Sequence, residues 1–216
     1  MIYICAYRDW GIEIYNKLKG IYNLVLIEKP HQLTQLSNMF HENDTIFFLG
    51  WSWIVEQNIV DNYNCICLHP SPLPKYRGGS PIQNQIINKE QVSAVSFFKM
   101  NDKLDQGEIL YQAPFSLKGE LNEIFSRIIE LGTFGIHHII ASNPKGTKQD
   151  ESEATYCKRR KLEESEITID EIMSKSAHEL YDKVRMLNDP YPNAFIKCGD
   201  GNKLFITKTY YDDSTR

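Results

Sequence analysis

The sequence contains no apolar run approaching the roughly 20 residues that a membrane-spanning helix needs, so no membrane partner is expected. Its start, MIYICAYRDW, meets Arg8 and Asp9 early and has no basic lead-in, so it does not read as a signal peptide. Basic charge is also in short supply. The 24 Lys and Arg against 28 Asp and Glu give a formal net charge of -4, whereas neutralising a phosphate backbone requires a basic face. Nucleic acid is therefore not an expected partner. The basic cluster KRRK (158–161) reads as a solvated turn balanced by Glu163, Glu164 and Glu166, with a local anion contact left open. Cysteine is sparse and odd in number. Cys5, Cys65, Cys67, Cys157 and Cys198 are scattered rather than arranged as a disulfide framework, which points to a reducing compartment, the cytoplasm. Three motifs are missing as well: GxGxxG after the first strand, a GK[ST] loop, and GxSxG, since GWSW (50–53) holds its serine without the closing glycine. Their absence removes the commonest dinucleotide, P-loop and serine-hydrolase sites.

What is present is a pattern. IYICAY (2–7), NLVLIE (23–28), DTIFFLG (44–50) and NCICLH (64–69) are short apolar runs with β-rich composition. Between them, 9–20, 30–40 and 53–60 carry apolar residues at helical spacing. Near-continuous apolar strands alternating with amphipathic helices indicate a mostly parallel twisted sheet flanked by helices, a Rossmann-like α/β fold. Ser80 and Pro81 then predict the N-cap and first turn of a helix through Asn88. VSAVSFFKM (92–100) and EILYQAPF (108–115) predict two further strands, and 120–142 a long helix. Composition turns polar from Asn143 to Thr155, which places a boundary between a 1–150 catalytic domain and a 151–216 extension. That extension is read as a helix near 174–187, a PYPNAF turn and a final strand KLFITKTYY.

In parallel α/β sheets ligands bind beyond the carboxyl ends of the strands, where His69 and Gly50 both fall. An imidazole titrates near neutrality and exchanges protons, and a nearby carboxylate orients it. Asp105, in a glycine-closed loop, is the acidic candidate. Taken singly, His69 reads as a capping or core histidine bonded to a backbone carbonyl and Asp105 as a turn aspartate before Gly107, and sequence spacing alone does not bring the two together.

HPSPLPKYRG (69–78), followed by SPIQ (80–83) and LDQGEIL (104–110), resembles the folate-dependent formyltransferases in motif and in spacing, over most of the chain. The resemblance implies direct transfer of a formyl group from N10-formyltetrahydrofolate to an amine, with His69 taking the amine's proton or polarising the formyl carbonyl and Asp105 supporting it. It implies a third catalytic position at Cys67, where that family carries asparagine. A primary amide is a strong donor to a developing oxyanion and a thiol a weak one. Cys67 accordingly reads as a small apolar strand residue, or as a nucleophile activated by His69. Cys65, Cys67 and His69 alternate onto one face, but no other ligand cluster accompanies them and no metal is expected.

The resemblance also implies a folate pocket at Leu49, Gly50, Trp51 and Ser52 and at Met100, Asp102 and Leu104. The substrate side falls to Arg8, Lys75, Tyr76, Arg77 and Gly78, with Arg159 a further cation for a nucleotide diphosphate. The glycinamide ribonucleotide relatives carry a glycine- and serine-rich loop where this chain has AYRDWG, and the methionyl-tRNA relatives a larger C-terminal domain and a basic surface. TYCKRRKLEESEI (155–167) and YPNAF (191–195) resemble the sugar N-formyltransferases that act on nucleotide-linked 4-amino-4,6-dideoxy sugars, and the AYRDWG opening leans towards a UDP-linked sugar of the pseudaminic acid pathway. A non-catalytic folate or nucleotide-sugar binder, and a formyltransferase acting on another amine such as an aminoacyl carrier, are the alternatives. Tyr210 and Tyr211 permit a homodimer.

Overall fold

The structure, a computed structural model, describes residues 1–212. Its elements in chain order are β1 (Ile2–Ala6), α1 (Asp9–Leu18), β2 (Leu24–Ile27), α2 (Pro30–Ser37), β3 (Thr45–Leu49), α3 (Gln57–Asn62), β4 (Asn64–His69), β5 (Arg77–Gly78), α4 (Pro81–Ile87), β6 (Val92–Lys99), β7 (Ile109–Ser116), α5 (Leu121–Ser142), β8 (Tyr156–Cys157), α6 (Ile169–Ser174), α7 (Ala177–Arg185), β9 (Ala194–Lys197) and β10 (Lys203–Ile206). Six strands form the central sheet in the order β2-β1-β3-β4-β6-β7. The first four run parallel, while β6 and β7 join antiparallel. This is the Rossmann-like α/β architecture the apolar alternation predicts. Among the described residues no helix is long and apolar enough to cross a membrane.

Period-two alternation divides the strand side chains between two cores. Tyr3, Cys5, Ile46, Phe48 and Cys65 face one side, covered by Leu33 of α2 and Ile59 of α3. Ile4, Ala6, Phe47, Leu49, Ile66 and Leu68 face the other, under α1 and α5. Helix α5 approaches closely because Gly132 and Gly135 omit a side chain there: a Cβ at Gly132 would stand 2.7 Å from Ile14 Cδ1, and one at Gly135 2.5 Å from Phe97 Cε2. The residues after 150 share that second core, to which Ile167, Val184, Met186, Leu187 and Ala194 all contribute.

Four sequence expectations shift. The helix read over 53–60 begins only at Gln57, because Trp53 is engaged by Tyr7 and Trp51, with ring centroids 4.4 and 4.8 Å apart, and residues 51–56 follow those contacts instead of a helical path. The helix read near 174–187 is α7 alone, and a further helix, α6, precedes it unanticipated; each has its own capping box, Thr168 with Glu171 at α6 and Ser176 with Glu179 at α7. The last strand ends at Ile206 rather than Tyr211, whose ring packs on His178 and Tyr181, and β10 pairs with β9, which the sequence reading treats as part of a turn. Ser80 precedes α4 but does not cap it with its side chain. Its backbone is left-handed (φ 53°) and its Oγ accepts the Arg160 N–H at 3.1 Å.

The register positions the site. Ala6 pairs with Leu49 and Leu49 with Leu68, so the carboxyl ends of β1, β3 and β4 lie abreast. Strand order reverses between β1 and β3, which opens a crevice there. Arg8, residues 50–55 and His69 consequently border one cleft.

Candidate active site

His69, the last residue of β4, is buried, and its Nε2 lies 2.8 Å from the Tyr76 carbonyl oxygen. A carbonyl only accepts, so Nε2 carries the proton and the neutral ring keeps its lone pair on Nδ1. That nitrogen faces Asp105 Oδ2 across 3.7 Å, too far for a direct hydrogen bond and close enough for an ion pair once Nδ1 takes a proton. The same carboxylate oxygen accepts the Gly78 N–H at 2.7 Å. The two groups, 36 residues apart in the chain, thus meet at one cleft. The loop carrying Asp105 leaves β6 beside Cys65, where the Met100 N–H bonds the Cys65 carbonyl at 2.8 Å, and doubles back along the sheet to His69.

Backbone strain gathers at this point. Tyr76 (φ 60°), Gly78 (φ 100°), Ser80 (φ 53°) and Asp105 (φ 53°) all adopt positive φ. For the non-glycine residues such conformations cost on the order of 1 kcal/mol each and persist only where the surroundings fix them. Here Thr155 Oγ1 accepts the Tyr76 N–H at 2.8 Å, and β5 pairs with β8. Gly107 lets the loop pass, since a Cβ there would overlap the Lys99 carbonyl oxygen.

Cys67 reaches the cleft from the same strand, two residues before His69. Burial, and after it the neighbouring Asp105 charge, push its thiol well above the ordinary value. A thiol held protonated is a poor nucleophile, which favours the small-apolar reading over covalent catalysis.

The cleft has a volume of about 780 Å³, within the range of small-molecule sites. On one side it is walled by Phe48, Trp51, Val55, Val60 and Met100, and there the Trp51 Nε1–H is buried without a hydrogen-bond partner. An apolar slot with an unpaired donor suits a flat, acceptor-edged ring such as a pterin. On the other side stand Arg8, Gly79, Gln83, Arg159, Lys161 and Tyr191. Arg8 lies over the Tyr7 and Tyr191 rings at 5.2 and 5.5 Å.

Of the residues expected at the folate pocket, Gly50, Trp51, Ser52, Met100, Asp102 and Leu104 line the cleft, while Leu49 points into the core beneath it. Of those expected on the substrate side, Arg8 and Gly78 line it and three residues do not. Lys75 is exposed and pairs with Glu153 at 3.6 Å. Tyr76 contributes its carbonyl to His69 and turns its hydroxyl to Glu90 at 2.8 Å. Arg77 has no exposed surface: its guanidinium makes a bidentate pair with Glu151 at 2.8 and 2.9 Å and bonds Gln149 and Tyr156. Gln83 and Tyr156 fall inside quoted motifs without being singled out, and Gln149 carries no signal that sequence reasoning uses, because a glutamine in a polar stretch has no spacing that marks it.

A family profile described as formyl transferase matches residues 28–123. Among curated relatives, the methionyl-tRNA formyltransferase of Rickettsia bellii is 31% identical over 176 residues, 79% of this chain and 56% of the relative. The chain spans about half the length of the curated relatives it matches. Among solved structures, a methionyl-tRNA formyltransferase from Clostridium thermocellum superposes with a TM-score of 0.89 at 31% identity, covering 99% of this chain and 94% of that one. A 4-N formyltransferase from Francisella tularensis gives 0.73 at 20% identity over 98% of each chain, a likeness of fold. A histidine and an aspartate meeting at the strand-end cleft, the profile match and the near full-length relative at 31% identity agree: the chain belongs to the formyl transferase family.

Proposed function

We propose that this protein transfers a formyl group from N10-formyltetrahydrofolate to the amino group of a nucleotide-linked 4-amino-4,6-dideoxy sugar. The observation that carries the reading is the His69–Asp105 pair, with Nδ1 facing a carboxylate 3.7 Å away at the floor of the cleft. N10-formyltetrahydrofolate supplies the electrophilic one-carbon unit when bound in the slot beside Trp51. His69 Nδ1 takes the proton that the acceptor amine sheds as it attacks the formyl carbon, Asp105 steadies the resulting imidazolium, and the same proton is returned to N10 as the carbon–N10 bond breaks and tetrahydrofolate leaves. The Tyr76 carbonyl fixes the ring throughout, so proton transfer is confined to Nδ1. Cys67 offers only a weak S–H donor and is a wall of this site rather than its nucleophile.

The sugar acceptor is favoured by how charge is distributed. Arg8, Arg159 and Lys161 line the acceptor side and make no ion pair among the described residues, while the whole chain carries a net charge of -4. A few local cations match a diphosphate, whereas a long polyanion needs a broad basic face. A second reading, the amine of methionyl-tRNA, is favoured by the 31% identity to the Clostridium thermocellum chain.

Incubation with N10-formyltetrahydrofolate and a panel of UDP-, dTDP- and GDP-linked amino sugars, with methionyl-tRNA in a parallel tube, separates the readings. Release of tetrahydrofolate with formamide on one sugar supports the proposal. Turnover on methionyl-tRNA with none on the sugars transfers it to the second reading. Folate binding without turnover on any amine makes the protein a binder.

A further inference from the structure

Asp105 is fastened by a segment that makes no contact with the cleft. The Gln149 Nε2–H₂ group donates to the Asp105 carbonyl at 2.9 Å and to the Gly107 carbonyl at 2.8 Å. Between them Gln106 Nε2 donates to the Tyr156 hydroxyl at 2.6 Å. All three consecutive loop residues are therefore bonded from the 149–156 segment. That segment is anchored in turn on Arg77, whose Nε and Nη2 donate to Gln149 Oε1 at 3.2 and 2.8 Å while Nη1 donates to Tyr156 at 2.9 Å. Arg77 immediately precedes Gly78, whose N–H holds the Asp105 carboxylate. The carboxylate and its backbone are thus gripped from a single buried guanidinium, one through the chain and the other through Gln149.

We propose that Gln149, seated on Arg77, is a positioning residue for Asp105. The inference rests on the reading that Asp105 assists His69. The device serves the loop because Asp105 sits at φ 53°, a left-handed conformation that costs on the order of 1 kcal/mol and is held by its surroundings. Gln149 saturates the two carbonyls that would otherwise turn to solvent and allow the loop to relax. Its effect reaches the reaction through the 3.7 Å separation of Asp105 and His69, and a misplacement of about 1 Å in a catalytic group costs on the order of a hundredfold in rate.

The test uses the full chain and three variants. Gln149→Leu removes all of these bonds. Gln149→Glu keeps the oxygen that accepts from Arg77 and loses both donors to the loop. Asp105→Asn provides the partner for a double-mutant cycle. The expected result is that both Gln149 variants lower kcat by roughly tenfold or more with KM for the folate within about twofold, and that neither adds to the loss already caused by Asp105→Asn. The Gly78 amide proton, followed by NMR, is expected to lose its downfield position and its protection from exchange. Additive losses in the cycle, or an unchanged Gly78 amide, overturn the proposal. If Gln149→Leu does not fold, Gln149→Glu carries the cycle. If the wild-type chain turns over no acceptor, the reading of function fails and the Gly78 amide alone judges the clamp.

Discussion

Two arginines tie the last third of the chain to the sheet domain, and they are built alike. Arg77 is fully buried, pairs with Glu151 and bonds Gln149 and Tyr156. Arg185 is 7% exposed, donates to Asp182 Oδ1 at 2.6 Å and to the Leu117 and Gly119 carbonyls at 2.8 and 2.7 Å, and so pins α7 to the turn between β7 and α5. The difference lies in what each leaves at its far end. The partner of Arg77 is a carboxylate on the surface, 60% exposed, and its other bonds lead to the loop of Asp105. The partner of Arg185 is itself buried, and none of its bonds leads to the cleft. Similar burial therefore serves two ends: one arginine organises chemistry and the other holds the fold.

The largest expected effect breaks the second arginine. Arg185→Met strands the Asp182 carboxylate in the interior, with only His178 Nδ1 at 3.4 Å remaining, and removing one partner of a buried pair costs about 3–5 kcal/mol. Denaturant unfolding should show that loss, with turnover per folded molecule within about twofold of wild type. Arg77→Met frees Glu151 into water, where it resolvates, and leaves Gln149 Oε1 without its donors. The stability loss is then roughly 1–3 kcal/mol, whereas turnover falls on the order of a hundredfold as the Asp105 loop slips. The order of the two variants in stability is thus the reverse of their order in activity. Activity losses that simply track stability losses would erase the distinction.

This contrast also marks where the sequence ceases to be legible. The β1–α1–β2–α2–β3 pattern announces itself because period-two and period-3.6 spacing are local properties, and the 69–78 and 104–110 blocks stand out because their prolines, glycines and charged residues occur at fixed offsets. Helix α3 and the separate helix α6 are less visible. The first depends on Trp53 finding Tyr7, and the second on a capping box of its own, Thr168 with Glu171, ahead of the one that opens α7. Lys75, Tyr76 and Arg77 sit inside the recognisable block and read as substrate contacts, yet the positive φ at Tyr76 and the pairing of β5 with β8 turn them away from the cleft. Gln149 falls in the polar run that reads as a boundary. Its role exists only because the chain returns there to meet Arg77, a contact 72 residues apart.

A smaller effect is expected at Cys67. Since burial and the Asp105 charge keep the thiol protonated, Cys67→Ala should leave turnover within about threefold, because the group removed is only a weak donor. Cys67→Asn should be tolerated and restores an amide donor at the cleft floor. Loss of a donor of that kind costs roughly a hundredfold or more where it acts on an oxyanion, so any gain in kcat gives the direction of the effect. Abolition of turnover in Cys67→Ala, with the fold intact, would return the nucleophile reading and detach the site's chemistry from the Arg77 network.

The smallest effect lies on the helix that carries Arg185. Glu179 closes the α7 capping box: its carboxylate accepts the Ser176 N–H at 3.0 Å and the Ser176 hydroxyl at 2.9 Å, with Lys89 at 3.3 Å. The backbone bond from Ser176, then the bond from its hydroxyl, then Lys89 lower the carboxyl from its ordinary 4.5 to about 2. A depressed carboxylate stabilises the fold in its ionised form, so the contribution is complete above pH 4.5 and drains away as pH falls towards 2. Glu179→Gln keeps a side-chain oxygen for the box and removes the titration. Thermal unfolding of the variant should therefore depend less steeply on pH between 4.5 and 2 than that of wild type, while turnover at neutral pH is the same for both. The Glu179 side chain is 33% exposed and its partner Lys89 62%, so the effect should be the weakest of the series and should shrink further in salt. A Glu179→Gln variant that lost activity at neutral pH would show that α7 reports to the cleft after all, and that the two arginines do not divide their work as their surroundings indicate.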